Sequence, residues 1–253
     1  MNDSASMYSE ALITALMNAD SVAVLTGAGV SAESGVKTFR DPDGLWMKFK
    51  PEELANFDAF MRNPELVWEW YNHRKEIAAS VKPNPGHYAI AEMESLFKEF
   101  TLITQNVDDL HRRAGTSNPI ELHGNITRSF CIDCNKFYDK VEVSEQQKIP
   151  KCDCGGMIRP DVVWFGEMLP MNAIQTATAA AQDADVFFSI GTSGEVYPAA
   201  QLPGIARQYG AYVVEVNPGK TSISFQMNEC LLGPSGVVLP PIIEELKRRK
   251  LSA

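Results

Sequence analysis

Five short apolar runs punctuate this chain, and each stops at small or polar residues: SVAVLTGAG from Ser21, FTLITQN from Phe100, DVFFSIGTS from Asp185, AYVVEVNPG from Ala211 and GVVLP from Gly236. Runs this short, apolar throughout rather than alternating, fit parallel strands covered on both faces. Between several of them lie helical stretches, HYAIAEMESLFKEF from His87 and MNAIQTATAAAQDA from Met171. Strand and helix in alternation predict a doubly wound α/β sheet. The opening residues MNDSASMYSEALITALMNAD read as a capped amphipathic helix rather than a signal peptide.

Two stretches interrupt the alternation. RNPELVWEWYNHRKEIAASV predicts a helix from Asn63 onward with Pro64 in its first turn. A second stretch carries four of the five cysteines as two tight pairs. The expected organisation is therefore one Rossmann-like sheet domain built from residues 1–47, 86–124 and 161–253. A helical insertion (48–85) and a zinc-ribbon insertion (125–160) together form a smaller domain beside it.

An open parallel sheet holds ligands beyond the carboxyl ends of its strands. Gly27 to Gly29, Gln105 to Asp108, Gly191 to Ser193 and Asn217 to Gly219 each follow a predicted strand, so they are expected to converge on one crevice. Gly27-Ala28-Gly29-Val30-Ser31-Ala32 fits the G-x-G-x-x-[GA] turn, in which glycines let the backbone approach a pyrophosphate. The continuation VKTFRDPDGLW is loop-like, with no second strand leading to a ribose-binding acid, which disfavours an ordinary hydride-transferring dehydrogenase. On this motif alone a glycine-rich turn without a ligand stays open.

Cys131 and Cys134, then 17 residues, then Cys152 and Cys154 give a spacing close to that of a zinc ribbon. Four thiolates leave no open position on the metal, so its expected role is structural. Cys230 stands apart, and thiolate ligation points to a reducing, cytoplasmic setting. Of the four histidines, His73, His87 and His111 lie in helix-like or helix-entry segments and read as structural or surface groups. His123, in ELHG at the mouth of the proposed crevice, is a candidate general base, with spacing alone leaving the choice even.

With 23 Lys and Arg against 32 Asp and Glu, the net charge of −9 offers no basic footprint for nucleic acid. No run approaches the roughly 20 apolar residues of a membrane span. At 253 residues, 45% hydrophobic and 22% charged, the chain can bury a sizeable core. Short termini suggest a compact chain without regulatory extensions, and a monomer is expected.

Taken in order, GAGVSAESGVKTFRDPDGLW, TQNVDDLHRRAG, ELHG, the paired cysteines, RPDVVWFGE, GTSGEVYPAA and EVNPG resemble the successive signature segments of the sirtuins, from about Ser21 to Pro240. The resemblance implies a Rossmann-like domain, a zinc-bearing domain and NAD as a consumed co-substrate. It implies that the carbonyl oxygen of an acyl-lysine attacks the nicotinamide ribose and expels nicotinamide. His123 would then activate a ribose hydroxyl against the resulting alkylimidate. Free lysine and O-acyl-ADP-ribose would be the products.

By the same resemblance, Gln105, Asn106 and Asp108 contact the nicotinamide ribose and carboxamide, the last two sharing the catalytic work with His123. Gly27, Ala28, Gly29, Thr38, Phe39, Arg40 and Trp46 belong to the pyrophosphate turn and its loop. Gly191, Thr192, Ser193, Asn217, Gly219 and Ser235 belong to the adenosine end. The segment around Val163, Trp164 and Phe165 would pair with the substrate backbone by strand addition. Lys37 replaces a frequent proline before TFR, and Gly194-Glu195 follow GTS where serine and an apolar residue are frequent.

Tyr71 and Arg74 are three apart on one helix face, in the stripe Val67, Tyr71, Arg74, Ala78. Read from the residues alone, Arg74 snorkels or pairs with a nearby acid. This Y-x-x-R resembles the class III sirtuins, where the pair implies binding of the carboxylate of succinyl- or malonyl-lysine, and Ala55 matches their small pocket residue. Acetyl-lysine would still fit a roomy pocket. The alternatives are a plain deacetylase, a protein ADP-ribosyltransferase of the same fold, or a non-catalytic sensor of NAD or ADP-ribose.

Overall fold

The structure is a computed structural model of the chain, and it describes residues 7–36, 54–141 and 148–252. In chain order the helices are α1 (Glu10–Asn18), α2 (Ala28–Ala32), α3 (Phe57–Arg62), α4 (Pro64–Ser80), α5 (Pro85–Met93), α6 (Leu110–Arg113), α7 (Met171–Asp183), α8 (Leu202–Gln208) and α9 (Ser235–Lys250). The strands are β1 (Ser21–Thr26), β2 (Glu99–Thr104), β3 (Ile120–Glu121), β4 (Gly124–Cys131), β5 (Phe137–Tyr138), β6 (Ile158–Val162), β7 (Val186–Ile190), β8 (Tyr212–Asn217) and β9 (Glu229–Leu232).

Six strands form one parallel sheet in the order β3-β2-β1-β7-β8-β9. Its central strands are apolar on both faces because both are covered. Val22 and Val24 of β1 pack with α1, α5 and α9 on one face. Ala23 and Leu25 of the same strand pack with α7 and α8 on the other. Burying a side chain such as Phe187 or Phe188, both 0% exposed, is worth about 1.5–3 kcal/mol, and these two contribute one to each face.

Helix starts follow local capping chemistry. The Ser9 hydroxyl accepts from Leu12 N at the head of α1, and the Asn63 side chain accepts from Leu66 N before Pro64 opens α4. Asn84 caps α5, its side chain accepting from Gly86 N and His87 N while the His87 ring accepts from Asn84 N.

Four of the five expected strands are present, and one expectation is corrected. GVVLP, read as a strand, lies in the first turns of α9. Its apolar residues continue as Val238, Leu239, Ile242, Ile243 and Leu246, all buried on one side, which is helical spacing. Pro240 and Pro241 disguised the helix as a terminated strand. The last strand of the sheet is instead the short ECLL, Glu229–Leu232.

The smaller module holds the antiparallel sheet β5-β4-β6. Its core joins residues from both interrupting stretches, Phe60, Trp68 and Tyr71 from one and Ile126 and Ile158 from the other, and adds Trp164 from the segment that follows β6. Two bonds seal the join, Trp68 Nε1 donating to Ile158 O at 2.9 Å and Trp164 Nε1 donating to Tyr71 Oη at 2.7 Å. Among the described residues no helix is long and apolar enough to cross a membrane.

Candidate functional site

The sheet reverses its direction of growth between β1 and β7, and a crevice at such a point is where an open α/β sheet binds ligands. Here the turn after β1 and the turn after β7 are pressed together. Gly29 N donates to Gly191 O at 2.9 Å, and Gly191 N donates to Val216 O at 2.9 Å. A Cβ on Gly27 would lie 2.8 Å from Gly191 O, and one on Gly29 would lie 2.7 Å from Gly191 Cα. Both glycines are therefore required by backbone packing as well as by any approaching pyrophosphate.

Beside them a cavity of ≈ 220 Å³ is lined by Gly29, Ala32, Glu33, Gly191, Val216 and Ser235, among others. It lies where the adenosine end of the site is expected. Glu33 was not singled out in the sequence. Its carboxylate accepts from Ser235 Oγ at 2.7 Å and Gly236 N at 3.0 Å, tying the end of the glycine turn to the start of α9. Thr192 and Asn217 are buried and serve the scaffold, Asn217 Nδ2 donating to Thr192 O at 2.8 Å. Ala28 opens α2 and Ser193 is half-buried, whereas Gly219 is exposed beyond β8.

The loop after β2 contributes a polar cluster. Asn106 Nδ2 donates to Gly27 O at 3.0 Å and to Ser31 Oγ at 3.1 Å, and Ser31 Oγ donates to Asp108 Oδ2 at 2.6 Å. Burial pushes the Asp108 carboxyl above its ordinary value, opposed by the Ser31 hydroxyl, the Leu110 amide and the Arg74 charge. Gln105 turns its carbonyl to His123, whose Nδ1 lies 2.9 Å away. A carbonyl only accepts, so Nδ1 carries the proton and the Nε2 lone pair is left for another partner. Burial lowers the His123 pKa against the pull of that carbonyl, which keeps the ring neutral at neutral pH.

The segment after β6 is held from within. Val163 N donates to His123 O at 2.9 Å, Trp164 N to Glu167 Oε2 at 2.8 Å, and Phe165 N to Ala55 O at 2.9 Å. Arg159 lies 3.2 Å over the Trp164 ring and pairs with Glu167. The amides of Val163, Trp164 and Phe165 are therefore all engaged within the protein. Trp164 is buried and Phe165 is exposed.

Tyr71 is fully buried, and its hydroxyl accepts from Trp164 while, among the described residues, its own proton has no acceptor. Burial pushes that phenol up, so it remains protonated. Arg74 is half-buried, 4.7 Å over Trp70 and 5.6 Å over Tyr71, and among the described residues it has no hydrogen bond or ion pair. Burial draws its pKa down, opposed by Tyr71 and Asp108. Ala55 is buried in the same cluster as Tyr71. Lys37, Thr38, Phe39, Arg40 and Trp46 lie outside the described residues.

The four cysteine sulfurs lie within 4.8 Å of one another, with Cys131 to Cys154 and Cys134 to Cys152 each at 3.5 Å. Sulfurs about 2.3 Å from a tetrahedral zinc stand about 3.8 Å apart, so the cluster fits that ion. Two tight turns make the fit: Asn135 N donates to Cys131 O at 3.0 Å, and Gly155 N to Cys152 O at 2.8 Å. Asn135 and Gly155 both take positive φ, 58° and 91°.

A Sir2 family model matches residues 27–198. An NAD-dependent protein deacylase of Aquifex aeolicus is 53% identical over 204 residues, covering 80% of this chain and 85% of that one. A solved Sir2 homologue in complex with NAD superposes with a TM-score of 0.89 at 44% identity, over 95% of this chain and 94% of the other. A Sir2 bound to acetylated peptide superposes with a TM-score of 0.84 at 32% identity, over 93% and 97%. Sequence match, sheet order and cysteine cluster agree: this chain belongs to the Sir2 family.

Proposed function

We propose that the chain is an NAD-dependent protein-lysine deacylase whose acyl pocket favours acidic groups. The deacylase reading is carried by His123, a neutral imidazole with its tautomer set by the Gln105 carbonyl and Nε2 left available. Its relatives support the reading, since the Aquifex aeolicus protein is an NAD-dependent protein deacylase and other Sir2 structures hold NAD or an acetylated peptide.

Bound NAD supplies a ribose that takes the acyl group as nicotinamide departs. The chain's own work is to hold and deprotonate. Gly27 and Gly29, whose own amides donate to Ile190 O and Gly191 O, leave the backbone bare for close approach of the pyrophosphate, and Ala28 opens the helix that faces its charge. Gly191 and Ser235 shape the adenosine cavity. Asn106 and Asp108, fixed through Ser31, offer an amide and a carboxyl to the nicotinamide end. His123 Nε2 accepts the proton of a ribose hydroxyl, and the neutral ring at pH 7 is the form that can do so. Zinc would be held by Cys131, Cys134, Cys152 and Cys154 and would supply folding stability.

The acidic preference rests on Arg74. A guanidinium stacked on two aromatic rings with no carboxylate bound among the described residues is prepared to take one from a ligand, and Tyr71 has a proton to add. A second reading also has an observation behind it, because Arg74 and Asp108 are near enough for each charge to shift the other's pKa. There Arg74 is the counter-charge of Asp108 and the enzyme a plain deacetylase. Arg74→Met separates them. Charge-assisted hydrogen bonds are worth about 1.5–3 kcal/mol each, so losing two shifts the succinyl-to-acetyl ratio of kcat/KM by about two to four powers of ten. Equal loss for both peptides in one preparation refutes the acidic preference. We further propose that the protein acts as a monomer in the cytoplasm, which light scattering and fractionation test.

A further inference from the structure

His123 stands at a junction. β3 ends at Glu121 in the large sheet and β4 begins at Gly124 in the small one, so only Leu122 and His123 separate the two sheets. Any rotation of the small module about this junction turns the imidazole away from the Gln105 carbonyl that sets its tautomer.

One guanidinium spans the junction. Arg128, in β4, donates through Nη1 to Glu121 Oε2 at 2.8 Å in β3 and through Nε and Nη2 to Asp161 Oδ2 at 2.9 Å in β6. Glu121 is nearly buried at 9% side-chain exposure and also accepts from Arg112 Nε at 3.0 Å. It accepts from Asn125 Nδ2 at 2.7 Å as well, and the same amide donates to Asp109 Oδ1 at 2.9 Å. Asp109 has φ of 66°, a strained value for a non-glycine residue, and it follows Asp108 directly. The network therefore braces His123 on one side and the Asp108 loop on the other. Two guanidiniums, Arg112 and Arg128, pair with Glu121 and Asp161, and the Asn125 amide links Asp109 to them; the paired arginines hold Glu121 below the usual carboxylate range against its burial, and the carboxylates raise Arg128.

We infer that Arg128 is a positioning residue for deacylation, fixing His123 against the Gln105 carbonyl by clamping Glu121 of the large sheet to Asp161 of the small one. It touches no reacting atom. The inference rests on His123 being the base, so His123→Ala is run beside every variant.

The test uses zinc-loaded protein and two assays with NAD and one acyl-peptide: deacylation, which needs the base, and exchange of labelled nicotinamide into NAD, which needs cofactor and acyl-lysine in place but no base. Arg128→Met is expected to lower kcat for deacylation about 10- to 100-fold, the size found when the partners that orient a metal-binding histidine are removed, with KM for NAD and the exchange rate unchanged. Arg128→Lys is expected to recover part of the loss, since an ammonium satisfies one carboxylate at a time. Should Arg128→Met fail to fold, Asp161→Asn, which leaves the Glu121 pair in place, is expected to show a smaller loss with the same split. Exchange and deacylation falling together, or neither falling, overturns the role of Arg128. Undiminished deacylation by His123→Ala overturns the base itself, and the positioning role with it.

Discussion

Acid is expected to destabilise this protein through two histidines that do no chemistry. His87 and His111 are 0% and 3% exposed with ring centroids 4.8 Å apart. Thr26 Oγ1 donates to Thr104 Oγ1, so it receives the Nε2 proton of His111 at 2.9 Å, while His87 Nδ1 accepts from Asn84 N. A second proton on His87 would face an amide donor, and one on His111 would have no partner among the described residues. Burial holds the two rings down to about 4 and about 3.

Against about 6.5 in the unfolded chain, the unfolded state binds more protons throughout the window from about pH 6.5 to 3. The associated stability is fully present above that window and is lost as pH falls through it. At pH 5 each ring accounts for a loss of about 2 kcal/mol, together about 4 kcal/mol, within a total stability of about 5–15 kcal/mol. In urea, with a slope of about 2–3 kcal/mol/M, the midpoint should move by about 1.3–2 M between pH 8 and pH 5. The His87→Gln/His111→Gln double variant should lose most of that shift, and protonation of the zinc thiolates affects both proteins and cancels. An unchanged pH dependence in the double variant refutes the reasoning.

Cys131→Ser is expected to drop zinc below one equivalent per chain and to melt the small module first, seen as proteolysis within residues 54–80 and 124–164 while the large sheet persists; full zinc content would contradict the site. Gly29→Ala should force its Cβ against Gly191 at 2.7 Å, costing about 1–3 kcal/mol of stability and weakening ADP-ribose binding by calorimetry. Tyr71→Phe should lower succinyl turnover less than Arg74→Met does, because it removes one neutral donor and keeps the ring.

The sheet was legible in the sequence because its strands end in chemistry: Gly27, Gln105, Gly191 and Asn217 mark the turns where apolar periodicity stops. α9 was not, since Val237, Val238 and Leu239 precede two prolines and the helical spacing emerges only once Ile242, Ile243 and Leu246 are counted. The cysteine spacing revealed the metal cluster directly. Glu33 was missed because its partners, Ser235 and Gly236, are about two hundred positions away. Arg128 was missed for a related reason: Glu121 and Asp161 become neighbours only through the pairing of β4 with β6. Trp164 illustrates the reverse limit, since its place in a substrate-like segment gave no sign that its indole would donate to Tyr71 in the core.

Mass spectrometry of the products from NAD and a succinyl-lysine peptide, with His123→Ala alongside, separates deacylation through His123 from transfer and from sensing. Equal amounts of free-lysine peptide, nicotinamide and O-succinyl-ADP-ribose are expected from the native protein, and none of the free-lysine peptide from the variant. ADP-ribose attached to protein, NAD bound without turnover, or undiminished deacylation by His123→Ala would contradict this.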